Sequence, residues 1–272
     1  MNILCITPIK HLKGIYEQLC KKGCVIYKPY IEKKQLRNYL IKNQKIDLLF
    51  CNPNKQNYML DKYVLERSSI KVIFTASTGT NHIDLIYCEE KKISIQSYKN
   101  DKKIIYKLPS TSELAFGLLI SLVRNIPKSY EFVRSGKWDY EPFIGRELAS
   151  MTIGIIGFGR LGKFMSKFAK SFGMKVVYYD PYVNSKMAKK VTLKKLIKSS
   201  DAISIHVHVN KNTKYMINQK ILDLSTRKPY IINTSRGEVV DEADIYKSLK
   251  KKIISGYATD VLEYEFEDIR MS

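Results

Sequence analysis

The chain has 272 residues, with 47 Lys and Arg against 26 Asp and Glu and a formal net charge of +21. That length allows two domains with substantial cores, and no apolar run approaches the ~20 residues of a membrane-spanning helix. Met1 leads straight into an apolar strand with no signal-peptide pattern, so no membrane partner is expected and the expected compartment is the cytoplasm.

A strongly basic chain invites a nucleic-acid reading, since positive surfaces attract phosphate backbones. The lysines, however, are spread over the whole sequence alongside abundant Ile, Asn and Tyr, a bias that AT-rich coding can produce by itself. No recognised nucleic-acid module occurs. The sequence therefore predicts salt-sensitive, non-specific adhesion and no specific nucleic-acid partner. Cys5, Cys20, Cys24, Cys51 and Cys88 all fall in the first third without a metal-type pairing to histidine; they read as reduced thiols, with no metal site.

The first hundred residues alternate apolar runs with helix-length polar segments, the pattern of a parallel sheet covered by helices. Strands are expected at residues 3–6, 24–27, 46–51 and 72–75, with a shorter one near 93–96. Ligands of such sheets collect beyond the C-terminal strand ends. That points to two loops, Asn52-Pro53-Asn54-Lys55 and Ser77-Thr78-Gly79-Thr80-Asn81. After a basic stretch at 99–108, a long helix is expected over about 112–124, capped by Thr111 or Ser112 and followed by Pro127, crossing from one lobe to the next.

Residues 153–156 read as a buried strand that runs into Gly157, Gly159 and Gly162 at GxGxxG spacing. In that pattern the first glycine permits a tight turn, the second lets the backbone approach a pyrophosphate, and the third lets a helix pack closely on the strand. The phosphates rest on the helix N-terminus. Leu161, Phe164, Met165, Phe168 and Phe172 fall on one predicted helical face that stops at Gly173. A strand over 174–179 follows, and Asp180 comes 18 residues after Gly162, about where an acid accepts hydrogen bonds from the adenosine ribose. A carboxylate there repels a 2′-phosphate, so NAD is expected in preference to NADP. Further strands are expected at 202–207, 230–233 and 255–259.

Taken together, the motifs resemble the D-isomer-specific 2-hydroxyacid dehydrogenases, the family that includes D-3-phosphoglycerate dehydrogenase. The likeness runs through STGTNHID at 77–84, SELAFGLLISLVRNIP at 112–127, GKW at 136–138, GREL at 145–148, TIGIIGFGRLG at 152–162, SDAISIHV at 200–207, NTSRGEVVDE at 233–242 and SGYATDVLEYE at 255–265. The resemblance implies an α/β fold of two Rossmann/flavodoxin-like doubly wound parallel-sheet lobes with a cleft between them. Residues 1–107 would form the substrate-binding lobe and 108–272 the NAD-binding domain. The implied reaction is hydride transfer between NAD and C2 of a small 2-hydroxy or 2-keto acid.

By the same resemblance Arg236 and Glu265 are catalytic, and the arginine fork suits a substrate carboxylate and its neighbouring carbonyl. Gly157, Gly159, Arg160, Leu161, Gly162, Asp180, Thr234 and Asp260 hold the cofactor, Asp260 through the nicotinamide carboxamide. Backbone N–H groups of Ser77, Thr78 and Gly79 receive the substrate carboxylate, and the region around 125–138 forms a homodimer contact.

One expectation runs against the pattern. The family pairs its glutamate with a proton-exchanging histidine from a downstream PHxG-type motif, and the sequence reaches Ser272 before any such motif. His11, His82, His206 and His208 all lie upstream of Arg236, and none matches it. Absence of a positioned general acid/base costs roughly 10²- to 10⁴-fold in rate, so the sequence reads as C-terminally truncated and slow, without the family's last strand and terminal helix. A catalytically weak NAD-binding regulatory module and a non-functional gene fragment are the alternatives. Ser150 and Met151 in place of Gly-Lys, His208 in place of proline, and Phe266 after the glutamate are smaller departures. The particular substrate is not legible; Lys55 faces either a substrate phosphate or sugar, or water.

Overall fold

Short β-branched and aromatic runs set two separate parallel sheets in the computed structural model, which describes residues 1–53 and 58–264. The chain divides into two compact units, Met1–Leu108 and Pro109–Ser272.

In the first unit, β1 (Asn2–Cys5), β2 (Cys24–Tyr27), β3 (Leu48–Cys51), β4 (Val72–Thr75) and β5 (Ser94–Ser97) pair in the order β2-β1-β3-β4-β5. That is the flavodoxin-like order. Leu4, Leu49 and Ile73 from the central strands are fully buried, as expected for a sheet covered on both faces. The helix Lys33–Lys42 starts at a capping box in which Gln35 reaches back to the Glu32 N–H. Its Leu36 and Leu40, four residues apart, enter the core, each burial contributing about 1.5–3 kcal/mol. The third strand begins at Leu48 rather than at 46, and just ahead of it the Asp47 carboxylate accepts the Asn2 N–H at 2.9 Å.

In the second unit, β6 (Thr152–Ile156), β7 (Lys175–Tyr179), β8 (Lys189–Lys190), β9 (Ala202–Ile205), β10 (Tyr230–Asn233) and β11 (Gly256–Thr259) run in the order β11-β10-β9-β6-β7-β8. Counted within the unit this is the doubly wound 3-2-1-4-5-6 sheet. The two-residue β8 was not predicted; both its residues are exposed lysines, so no apolar signal marks it. Ile156, Ile205, Asn233 and Thr259 lie in register across four neighbouring strands. The residues that follow them, Gly157, His206, Thr234 and Asp260, therefore line one C-terminal sheet edge.

Two local expectations are corrected. The long helix spans Ser110–Val123 behind Pro109, with no side-chain cap. Thr111 and Ser112 are inside it, and the Ser112 hydroxyl donates instead to the Leu161 carbonyl at 3.0 Å. Pro127 lies past the end of that helix, as expected. Asn125 turns the chain with φ 54°, and Pro127 sits in the first turn of a new helix, Ile126–Arg134, where its missing N–H costs nothing.

The second correction concerns the helix Arg160–Ser171, which buries Gly162, Met165, Ser166 and Ala169. The aromatic stripe lies on its flank, with Phe172 51% exposed while Phe168 and Phe172 meet Phe116 at ring-centroid distances of 6.1 and 4.8 Å. Small residues let the helix approach the sheet, so the large ones are displaced sideways toward the neighbouring helix.

Candidate active site

The glycine-rich turn links β6 to the Arg160–Ser171 helix, and each glycine has a separate reason for being there. Gly157 has φ 88°, and a Cβ on it would strike the His206 carbonyl. At Gly162 a Cβ would overlap the Gly157 carbonyl oxygen. Gly159, at the helix N-cap, has open space where a Cβ would be, which leaves room for a phosphate beside Arg160 and Leu161 on the positive helix end.

Asp180 lies at the end of β7 and is 8% exposed. Its Oδ2 accepts the Phe158 N–H at 2.7 Å, and its Oδ1 accepts those of Tyr182 and Val183 at 2.8 and 2.9 Å. Burial pushes the carboxyl pKa up, but the three N–H donors and Lys190 outweigh it and hold the pKa below the ordinary value. A carboxylate can accept about four hydrogen bonds, so acceptor capacity remains on Oδ2.

Along the same sheet edge, His206 donates its N–H to the Ile156 carbonyl at 2.7 Å, and its Nε2 contacts the Ser204 hydroxyl at 2.8 Å. Burial lowers its pKa to about 4, leaving a neutral ring. His206 Nδ1 and Thr234 Oγ1 are both buried without a hydrogen-bond partner. Orphaned polar atoms of this kind call for a partner, and here two adjoin the glycine turn. The residues present fit a dinucleotide.

Arg236 follows β10 in a turn fixed by Asn233, whose Oδ1 accepts the Ser235 N–H and hydroxyl at 3.1 and 2.7 Å and whose Nδ2 donates to the Arg236 carbonyl at 2.9 Å. The guanidinium donates to the Ser235 carbonyl at 2.6 Å and forms no ion pair among the described residues. Packing raises the Asp260 pKa, opposed by a backbone N–H and by the Arg236 charge. Gly237 is required next to Arg236, because a Cβ there would run into the backbone of Leu262 and Glu263. The Tyr215 hydroxyl donates to the Glu263 carboxylate and ties that strap down. Glu265 and Lys55 lie outside the described residues.

In the first unit, the loop after β4 has its own internal bonding. The Ser77 hydroxyl donates to the Gly79 carbonyl at 2.6 Å and lies 2.9 Å from Thr75 Oγ1, which is 3.1 Å from His82 Nε2. No hydrogen bond among the described residues uses the N–H groups of Ser77, Thr78 or Gly79. His82 is 4% exposed, and burial lowers its pKa to about 4. Neither His82 nor His206 is placed as an exposed acid–base group. No metal-type cluster of His, Cys, Asp or Glu occurs among the described residues, and no helix there is long and apolar enough to cross a membrane.

Sequence reasoning missed Asn233, Gly237, Tyr215 and Thr75. Asn233 and Gly237 flank the arginine inside a recognised motif and were available from it; Tyr215 acts through Glu263, distant in sequence, and Thr75 through hydroxyl contacts with Ser77 and His82 that no sequence pattern marks.

Residues 116–270 match the NAD binding domain of the D-isomer specific 2-hydroxyacid dehydrogenases, and residues 14–102 match that family's catalytic domain. The chain belongs to this family. Its cofactor is NAD. The D-3-phosphoglycerate dehydrogenase of Methanocaldococcus jannaschii is 34% identical over 209 residues, which is 74% of this chain and 39% of that protein. The glyoxylate reductase of Thermococcus litoralis is 37% identical over 219 residues, 76% of this chain and 65% of that one. The chain thus spans less than two thirds of either relative. Among solved structures, the D-lactate dehydrogenase of Aquifex aeolicus, complexed with NAD and lactic acid, superposes with a TM-score of 0.78 at 28% identity, covering 97% of this chain and 77% of that one.

Proposed function

We propose that the protein is an NAD-dependent oxidoreductase that interconverts a small D-2-hydroxy acid and the corresponding 2-keto acid. The observation that carries this reading is Arg236, a guanidinium without an ion pair among the described residues, next to Thr234 and near Asp260 at the sheet edge that carries the glycine turn. When bound, the nicotinamide supplies the hydride acceptor or donor.

The chain's own residues bind and orient. Gly157, Gly159 and Gly162 with the N–H groups at Arg160 and Leu161 hold the pyrophosphate. Asp180 accepts from the adenosine ribose and, as a fixed anion, disfavours a 2′-phosphate, which selects NAD over NADP. Thr234 and Asp260 hold the nicotinamide side. Arg236 grips the substrate carboxylate and polarises the adjoining carbonyl, and Glu265 supports proton exchange at the hydroxyl. The N–H groups of Ser77, Thr78 and Gly79, without a partner among the described residues, receive a substrate carboxylate, which makes residues 1–107 the substrate lobe and 108–272 the cofactor domain.

The protein acts as a homodimer. Ile126, Tyr130 and Val133 on the Ile126–Arg134 helix are exposed, as are Trp138 at 89% and Ile144 at 72%. Phe132 and Phe143 pack at 5.1 Å and join the helix and the following segment into one apolar face, the kind of patch that marks an interface. Five free thiols suit the reducing cytoplasm.

A fluorescence titration with NADH, followed by NADH oxidation across a broad panel of 2-keto acids, tests the reading. Saturable binding with turnover of at least one keto acid is expected. A protein that binds NADH and oxidises it with none of them overturns the proposed activity.

A further inference from the structure

We infer that His82 is a positioning residue for the Ser77–Gly79 loop, acting through a one-way chain of hydrogen bonds that runs His82 to Thr75 to Ser77 to the Gly79 carbonyl. The inference rests on the reading of that loop as the substrate-carboxylate receiver.

The direction of the chain follows from its far end. A carbonyl only accepts, so the Ser77 hydroxyl proton is committed to Gly79 at 2.6 Å. Ser77 Oγ must then accept across the 2.9 Å contact with Thr75 Oγ1, which commits the Thr75 proton in turn. Thr75 Oγ1 is left to accept, and the donor 3.1 Å away is His82 Nε2. This fixes the tautomer as Nε2–H with a bare Nδ1.

One independent observation agrees with that assignment. Nδ1 is buried without a partner, and a lone pair left unused costs less than a buried N–H without an acceptor. The Cys51 sulfur lies 3.8 Å from Nε2 and, as a thiol whose pKa burial pushes up to about 12, is compatible with either ring tautomer.

The chain begins at a rigid point. The His82 carbonyl accepts the Leu60 N–H at 2.9 Å, and the Ile83 N–H donates to the Thr80 carbonyl at 3.0 Å. Thr75 is fully buried, so water cannot readily replace a lost donor. The loop's hydroxyl and the Gly79 carbonyl are thus occupied internally, while the N–H groups of Ser77, Thr78 and Gly79 have no described partner. Without His82, Thr75 is no longer obliged to donate to Ser77. Ser77 can turn toward Thr75, releasing the Gly79 carbonyl and the loop's preorganisation for an anion.

The test is heteronuclear NMR on the ¹⁵N-labelled 272-residue chain with saturating NADH, titrated with oxamate as a non-reacting 2-keto acid analogue. The ring nitrogens of His82 are expected to report a protonated Nε2 and a bare Nδ1, and the amides of residues 77–79 to shift on titration. His82→Leu should weaken oxamate about tenfold, the loss of roughly one hydrogen bond's worth of order, with NADH affinity unchanged. His82→Gln, which restores an N–H near the Nε2 position, should recover most of it. If His82→Leu fails to fold, the isosteric Thr75→Val breaks the same chain and should show the same loss. An Nδ1–H tautomer overturns the inference, as does undiminished oxamate affinity in a folded variant while the parent amides still respond. Parent amides silent to oxamate instead remove the carboxylate-loop reading, and the inference falls with it.

Discussion

The Asp180 carboxylate accepts the backbone N–H of Phe158, 22 residues earlier, at 2.7 Å, so the acid proposed to meet the adenosine ribose also pins the glycine-rich turn. Asp180→Ala therefore confounds two effects. It removes an acceptor for the ribose and leaves three backbone N–H groups short of a charged partner, which should cost about 2–4 kcal/mol of stability. Asp180→Asn is the smaller change: Oδ1 still serves Tyr182 and Val183, while the charge disappears and an amide NH2 replaces Oδ2 opposite the Phe158 N–H, so the melt is needed here too. NADH should bind more weakly and the preference for NADH over NADPH should fall about tenfold, as repulsion of the 2′-phosphate is lifted. Parallel fluorescence titrations with the two cofactors, read beside a thermal melt, check this; an unchanged preference removes Asp180 from cofactor selection.

Arg236→Ala is expected to abolish turnover of any active 2-keto acid, by about 10²- to 10³-fold or more, with NADH affinity unaltered, because the guanidinium touches only the neighbouring Ser235 carbonyl among described hydrogen bonds. Arg236→Lys should recover little, since an ammonium lacks the planar fork. Steady-state kinetics with a separate NADH titration distinguishes this from misfolding, and equal activity in the alanine variant takes Arg236 out of the mechanism.

Acid stability follows from two histidines whose ring Nδ1 atoms are buried. In His82 and His206 burial lowers the pKa from the ordinary 6.5 to about 4, so the unfolded chain takes up protons more readily than the folded one. Their contribution is present in full above pH 6.5 and is lost progressively as pH falls toward 4. The size is of the order of a few kcal/mol per histidine. Asp180 and Asp201, with pKa values held below the carboxylate norm, add a further loss below about pH 4 as they protonate. Denaturant titrations between pH 7 and 4 should show the first decline, and His206→Gln should flatten it; a wild-type stability that is level over that range contradicts the burial of neutral rings.

How much of this was legible in the sequence depends on how local the cause is. The β–turn–helix around Gly157, Gly159 and Gly162 was readable because each glycine answers to a constraint within a few residues. The face of the Arg160–Ser171 helix was misjudged because spacing identifies an apolar stripe but not that Gly162, Ser166 and Ala169 allow a closer approach than Phe164 or Phe168. Gly237 stands in a readable motif, but its reason is not local: it arises from Leu262 and Glu263 crossing it. The His82 chain depends on which way three hydroxyl and imidazole protons point, which only the placement of His82 against the end of β4 can reveal.

The exposed face around the Ile126–Arg134 helix gives the last prediction. Isolated exposed apolar side chains are ordinary, but Ile126, Tyr130, Val133, Trp138 and Ile144 lie close together in sequence on segments bridged by the Phe132–Phe143 contact. Burying such a patch between two copies removes its apolar area from water at about 25 cal/mol per Å², and a charge placed at its centre has to be desolvated or keep the copies apart. Val133→Asp should therefore convert a dimer to a monomer in sedimentation velocity without lowering the melting temperature of the isolated subunit, since Val133 is 51% exposed and contributes little to its own core. Lys137, over the Phe132 ring at 5.6 Å, offers the control: Lys137→Ala removes charge from the same surface and should leave the dimer intact. A wild-type chain that sediments as a monomer at all concentrations, or a Val133→Asp variant that remains dimeric, eliminates this face as the contact.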